Sequence, residues 1–253
     1  MEYFRIRKGM KINIVLICLM FLCSGRVIAS WNMDLETGIV SVGYNDIRIP
    51  GNSGTRFSLT DSFSVDNKAF YRLRLTSEIK KDRFVSFLYA PLTLSAGGVT
   101  KTQIDFNNDV FPVDTVVSAK YRFDSYRLSY WKNFRKSEKF LLKIGFTAKI
   151  RDAAIRVTSD ARESEKKNTG FVPLLNFGLT YSFKQNLAFL VDGDALAGGP
   201  GRAEDVLLAV SYKNGGRYSY RIGYRFVEGG ADTKEVYNFA MLNYISAGVS
   251  IDF

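Results

Sequence analysis

Long stretches of this sequence alternate between apolar and polar or small residues, and this pattern constrains the fold more than any other feature. The clearest run covers residues 140–151, FLLKIGFTAKIR, and similar runs cover 171–183, 218–227 and 245–253. Successive side chains of a β-strand point to opposite faces of the sheet, so each run predicts a strand with one apolar face. Beyond residue 29, no stretch of about 18 apolar residues predicts a membrane-spanning helix.

The polar face of these strands carries charged residues at mid-strand positions, which separates two kinds of β protein. A soluble β-sandwich also alternates, but its core buries such charges only at a high cost, whereas the wet lumen of a membrane barrel holds them with partners of opposite charge. Tyr, Phe and Trp cluster near strand ends, as at 126–134 and 181–183, which is typical of aromatic girdles. The sequence therefore predicts an all-β, antiparallel transmembrane β-barrel. The predicted lumen charges are Arg72, Arg74, Lys143, Lys149, Arg151, Asp192, Asp194, Arg221 and Arg225.

Connection lengths predict a barrel of about ten strands, with eight or twelve also possible. Short connections alternate with longer polar or Gly-rich ones, as periplasmic turns and outer loops do in bacterial barrels. The longer connections are predicted at 50–68, 97–114, 152–169, 197–202 and 228–235. The predicted strands are 35–49, 69–80, 83–96, 115–133, 139–151, 170–183, 186–196, 203–213, 217–227 and 236–253.

The segment 115–133 leaves the strand count open, because its apolar residues change parity. Val117, Ala119, Tyr121 and Phe123 occupy odd positions, whereas the apolar set 126, 128 and 130 is even. We predict a β-bulge at Asp124-Ser125; a tight turn there is the alternative, and it would change the count.

The first 29 residues predict a secretory signal peptide. A basic segment precedes a short apolar run from Ile12 to Cys23, and Ala29 is a small residue suited to cleavage. An uncleaved anchor is the alternative, and Met1 and Met10 are both candidate starts. Both cysteines, Cys18 and Cys23, lie in this segment. The predicted organisation is a signal peptide at 1–29 followed by a single barrel domain at 30–253.

With its signal peptide, its alternating strands and its last residues, Ser250-Ile251-Asp252-Phe253, the chain resembles small bacterial outer-membrane β-barrels of the general OmpA/OmpW kind. The resemblance implies a bacterial outer membrane, contact with lipopolysaccharide, and recognition of Phe253 by the barrel-assembly machinery. It covers the architecture of the whole mature chain and implies no substrate or oligomeric state.

The sequence predicts no catalytic, cofactor or metal site. It contains no His, which removes His-bound zinc and the usual nucleophile–His mechanisms. Asp192 and Asp194 share one strand face, with Glu204 and Asp205 at the start of the next strand. They form either a paired-carboxylate or calcium site or, as we expect, counter-ions for lumen arginines such as Arg221 and Arg225.

These features predict a non-enzymatic outer-membrane barrel that is structural or forms a narrow pore for small solutes, anions among them. An ion-paired, closed lumen is slightly favoured over a conducting one. A His-independent enzyme acting on lipid A or peptides, and a surface adhesin, are also compatible with the sequence. Nucleic acid is excluded as a partner because the chain is exported.

Basic residues in the predicted outer loops have two interpretations. They could meet lipid A phosphates at the outer leaflet, or they could form a solvated surface with the interleaved acidic residues 160, 163 and 165. The sequence does not favour one interpretation over the other. The basic residues concerned are Arg48, Arg56, Lys68, Arg156, Arg162, Lys166, Lys167 and Arg202.

Overall fold

A computed structural model of the chain describes residues 30–199 and 201–253, and its regular structure consists of β-strands. The signal peptide predicted at 1–29, with both cysteines, lies outside the described residues and stays a prediction. None of the described residues forms a helix that is long and apolar enough to cross a membrane. The strands are β1 (Trp31–Arg48), β2 (Phe57–Ser58), β3 (Ser64–Val65), β4 (Lys68–Lys80), β5 (Arg83–Ala90), β6 (Thr93–Val99), β7 (Ile104–Phe106), β8 (Asp109–Phe111), β9 (Val116–Arg135), β10 (Phe140–Thr158), β11 (Glu163–Lys184), β12 (Leu187–Gly198), β13 (Gly201–Lys213), β14 (Tyr218–Asp232) and β15 (Tyr237–Asp252).

Ten antiparallel wall strands close into a barrel, as predicted. Each pairs with its neighbours along the chain, and β1 completes the wall by pairing with β15. β5 and β6 together form one wall strand, because both pair with β9 in a single register on either side of Pro91-Leu92. Closure pairs β1 with β15 and so removes the two free edge strands that an open sheet would expose.

The two ends of the barrel differ in their connections. The turn end carries Ser30, Phe253 and four short turns, at 81–82, 136–139, 185–186 and 214–217. The loop end carries the long segments 49–67 and 100–115, and in outer-membrane barrels this end faces the exterior. At the turn end, Trp31 and Phe253 complete the closing ladder, since the Phe253 amide donates to the Trp31 carbonyl at 2.7 Å.

The outer face carries a belt of large apolar side chains. Ile144, Phe146 and Phe171 are 59%, 67% and 69% exposed, and all three point away from the lumen. Aromatic rings pair across neighbouring strands, as where Phe140 stacks on Tyr181 with ring centroids 4.7 Å apart. Such a surface is stable in lipid, so the fold matches the predicted transmembrane barrel.

The prediction of a loop at 152–169 was wrong, because β10 and β11 continue as a hairpin to Thr158↔Glu163, with a turn at 159–162. The alternation was hidden because the large apolar residues on the outward side end at Ile150, and polar residues such as Asp152 and Arg156 follow. Exposed ion pairs link the two strands here, among them Arg156–Glu165 at 3.2 Å. This part of the hairpin stands beyond the apolar belt.

The predicted bulge at Asp124-Ser125 was also wrong, because β9 keeps one register along its whole length against β10. Val117, Ala119 and Tyr121 are buried in the lumen, whereas Leu128 and Tyr130 are exposed on the outer face. The apolar residues of β9 therefore change face along the strand. Near the loop end they pack inward on a protein core, and nearer the turn end they face outward to lipid.

That protein core fills part of the loop end. The segments 49–67 and 100–115 fold inward, and their side chains pack against inward residues of the wall. Phe106 and Phe111, from the β7–β8 hairpin, have no exposed surface. The loop end is thus partly covered by its own packed segments.

Candidate functional site

The lumen holds a network of charged side chains because inward positions alternate with lipid-facing ones along every strand. At its centre, Asp205 on β13 pairs with three arginines: Arg72 at 2.8 Å, Arg127 at 2.6 Å, and Arg225. Arg127 also binds Asp194 at 2.8 Å. Arg72 on β4 and Arg127 on β9 come from the opposite side of the barrel, so their pairs with Asp205 cross the lumen, whereas Arg225 lies on the neighbouring strand β14.

Glu36 on β1 completes this central layer, because Arg225 donates to both of its carboxylate oxygens at 2.8 and 2.9 Å. Every member of the layer is at most 5% exposed. We call the layer the ion-pair belt; it consists of Glu36, Arg72, Arg127, Asp194, Asp205 and Arg225.

The belt is supported by neutral hydrogen-bond donors around Asp194. Thr147 Oγ1 donates to one carboxylate oxygen at 2.6 Å, and Asn176 Nδ2 donates to the same oxygen at 2.7 Å. Buried charges are tolerated when pairing and hydrogen bonds replace the lost water. The belt meets that condition at each of its carboxylates.

A second group of pairs lies between the belt and the turn end. Asp192 binds Arg74 at 2.9 Å and also binds Lys143. Arg221 binds Asp34, and it binds Glu36 of the belt at 3.2 Å. This group lines a turn-end cavity of about 390 Å³.

A cavity of about 380 Å³ lies on the other side of the belt, toward the loop end. Its lining is mainly apolar and includes Tyr121, Phe123 and Leu242. Lys149 and Arg151 of β10 also line it. The belt therefore separates two chambers of similar size, which we call the turn-end cavity and the loop-end cavity.

The two inward lysines of β10 have different surroundings. Lys143 is paired with Asp192, whereas Lys149, 3% exposed, has no carboxylate oxygen within 4.0 Å in the described part of the chain. The Lys149 ammonium lies 4.8 Å from the centre of the Phe123 ring. Arg151 donates to Asn168, and its Nε is buried without an acceptor among the described residues.

The structure places the predicted lumen charges on the inner face, but it groups them differently from the expectation. Asp192 and Asp194 share a face, yet neither binds Arg221 or Arg225 within 4.0 Å in residues 30–199 and 201–253; their partners are Arg74 with Lys143, and Arg127. Glu204 lies on the outward side of β13, away from this network.

Sequence reasoning did not identify Asp34, Glu36 and Arg127 as lumen charges, and it named Asp205 only as a neighbour of the acidic pair. Arg127 had a detectable signal, because it alternates with the outward Tyr126 and Leu128. Glu36 alternates with Leu35 and Thr37 in the same way.

The basic loop residues are largely engaged with acidic neighbours. Arg202 forms a bidentate pair with Glu228, and Arg56 binds Asp46 at 2.7 Å. On the β10–β11 hairpin, hydrogen bonds lower the pKa of Glu165; the bond from Lys167 has the larger effect and the bond from Arg156 the smaller one. These pairs agree with the interpretation of a solvated, charge-balanced surface, and contact with lipopolysaccharide stays a prediction.

The described residues contain no cluster of three or more acidic side chains able to hold a metal ion. In this part of the chain, the lumen carboxylates lie against cations.

Comparison with known proteins supports the fold. No family model matches the chain, and no curated sequence does. Among solved structures, the outer-membrane protease OmpT from Escherichia coli covers 88% of this chain and 97% of its own, with 10% identity and a TM-score of 0.54. The fold is that of a bacterial outer-membrane β-barrel. A barrel of this kind resides in the outer membrane.

Two other solved structures match with lower TM-scores. Ail, the attachment invasion locus protein of Yersinia pestis, is 12% identical over 88% of this chain and 99% of its own, with a TM-score of 0.37. Neisserial surface protein A is 12% identical over 91% and 100%, with a TM-score of 0.35.

Proposed function

We propose that this protein is a non-enzymatic, structural barrel of the outer membrane whose lumen is closed by the ion-pair belt. The observation that carries the proposal is the sharing of Asp205 by three arginines, of which Arg72 and Arg127 reach it across the lumen and Arg225 reaches it from the neighbouring strand. A barrel of about ten strands is narrow enough for such side chains to fill its cross-section.

The same contacts argue against a narrow anion pore. An anion that crosses the belt has to compete with a carboxylate for a buried arginine, and a carboxylate that loses its cation in the barrel interior is strongly destabilised. Several such pairs share partners, so opening one disturbs the next. The arginines of the belt thus hold the lumen shut.

The acidic pair also lacks the features of a catalytic base. Asp192 accepts hydrogen bonds from Arg74 and Lys143, and Asp194 accepts them from Arg127, Thr147 and Asn176. Carboxylates held by cations and amides are poor proton acceptors. Asp192 and Asp194 therefore give no support to a protease activity like that of OmpT in this chain.

Planar-bilayer recording of the refolded chain tests the proposal. We expect the wild type to insert without steady conductance in molar KCl. Removing one complete belt pair, Arg127→Ser with Asp194→Ser, keeps the net charge and should create a conducting path.

The matched control is Lys213→Ser with Asp252→Ser, which removes a pair at the turn end whose side chains are 60% and 48% exposed. It should stay silent like the wild type. A steady open state in the wild type would contradict the closed lumen.

A further inference from the structure

The barrel wall has a notch between β11 and β12. Pairing between these strands ends at Leu175↔Ala195, although β11 continues to pair with β10 as far as Glu163. β12 itself pairs with β13 up to Gly198↔Gly201. Above Leu175, β11 therefore has a neighbour on one side only.

The sequence of β11 contains a residue that is typical of a strand edge with no neighbour. Pro173 lies just above the last paired residue, and proline has no amide hydrogen to donate to an adjacent strand. Proline in a sheet is confined to such edge positions. The notch is thus encoded in the strand itself.

The notch lies at the level of the membrane surface. Phe171, which pairs with Ile150, is the last large apolar residue on the outward side of β11, and Thr169 and Lys167 follow it. Phe171 is 69% exposed, so an aromatic ring borders the notch where lipid chains meet their headgroups.

The loop-end cavity lies directly behind the notch. Gly170 and Val172 of β11 and Leu196 and Gly198 of β12 line this cavity as well as the two sides of the notch. An opening of this kind connects the interior of the barrel with the outer leaflet. A cavity of about 380 Å³ falls within the range of small-molecule sites.

The charge inside the cavity defines the chemistry of its ligand. Arg202 and Glu228 line the rim but satisfy each other, with distances of 2.8–3.1 Å. Lys149 is 3% exposed, and its ammonium lies over the Phe123 ring, with no ion pair or side-chain hydrogen bond among the described residues. The contact with Phe123 does not neutralise the charge of Lys149, and an anionic group in the cavity would do so.

We infer that the loop-end cavity binds an anionic amphiphile from the outer leaflet. The carboxylate or phosphate of the ligand pairs with Lys149 and Arg151, and its chain passes between Phe171 and Leu196 into the lipid. The cavity lies above the ion-pair belt, so this inference holds whether or not the belt conducts.

Calorimetric titration of the full barrel in a non-ionic detergent, with decanoate as the probe, tests the inference. We expect decanoate to bind about tenfold or more tightly than decanol, because a charge-assisted hydrogen bond contributes about that factor. Lys149→Met should weaken decanoate binding and so reduce this preference, with Arg151 supplying what remains, and Lys149→Arg should keep it.

Lys143→Met is the matched control, since it removes a lysine from the same face of β10 but from the other cavity. It should leave decanoate binding unchanged if the variant folds, and Lys149→Arg serves as the folded reference if it does not. Equal binding of decanoate and decanol, or equal binding by wild type and Lys149→Met, would overturn the inference.

Two further probes distinguish an anionic amphiphile taken from the membrane from a free anion taken from solution. Decyl phosphate should bind as decanoate does, and inorganic phosphate, which has no chain, should bind about tenfold or more weakly. If inorganic phosphate binds as tightly as decyl phosphate, the site takes a free anion and the membrane source is wrong.

Discussion

The two halves of the lumen use the same residue types in opposite ways. From the turn end to the belt, carboxylates such as Asp192 and Asp205 bind two or three cations each. In the loop-end cavity, Lys149 faces Phe123 and other apolar side chains instead. We propose that charge in the first region closes the barrel and that charge in the second stays available to a ligand.

The largest effect should follow removal of the shared carboxylate of the belt. Asp205→Asn leaves Arg72, Arg127 and Arg225 buried without their common partner, and we expect a loss of about 3–5 kcal/mol in the free energy of unfolding. Urea unfolding of the barrel in lipid vesicles measures it.

Asp252→Asn is the matched control, because its carboxylate is 48% exposed and lies 3.5 Å from Lys213. It should change the free energy of unfolding by less than about 1 kcal/mol. Equal losses in the two variants would show that the belt does not stabilise the fold.

The two lysines of β10 should respond with opposite signs. Lys143→Met deprives Asp192 of one of its two cations and should lower the free energy of unfolding by about 1–3 kcal/mol. Lys149→Met removes a buried charge that has no acceptor in the described residues, so it should raise that free energy. The same unfolding assay compares them; a loss of stability in both would erase the contrast between the two regions.

The smallest effect is expected outside the lumen. Arg156 pairs with Glu163 and Glu165 on the β10–β11 hairpin, where its side chain is 39% exposed. Arg156→Ala should change the free energy of unfolding by less than about 1 kcal/mol, because water already screens these pairs. A loss as large as that of Asp205→Asn would mean that exposure does not separate the two kinds of pair.

The sequence predicts the wall well because lipid on one side and water on the other impose a strict period of two. The prediction fails where the environment of a strand face changes toward the loop end. On β10 the large outward apolar residues end at Ile150, and on β9 the inward residues from Phe123 back to Val117 are apolar. Both errors arose from assuming that each face keeps one environment along the whole strand.

The pairing of the lumen charges could not be predicted, because it depends on contacts across the barrel. Arg72 and Asp205 are 133 residues apart and lie on strands that are not neighbours in the wall. Lys143 and Lys149 occupy equivalent faces of β10, so alternation alone cannot separate the paired lysine from the other one. The notch had a local signal in Pro173, whose meaning depends on where β12 ends.

The closed lumen is tested most directly by the reactivity of single cysteines in reconstituted vesicles. Residues 30–253 contain no cysteine, so Ser250→Cys reports on the turn-end cavity and Ala203→Cys on the loop-end cavity. A charged, membrane-impermeant thiol reagent should reach Cys at position 250 only from the turn side and Cys at position 203 only from the loop side. If the reagent modifies either position at equal rates from both sides, the belt does not close the barrel.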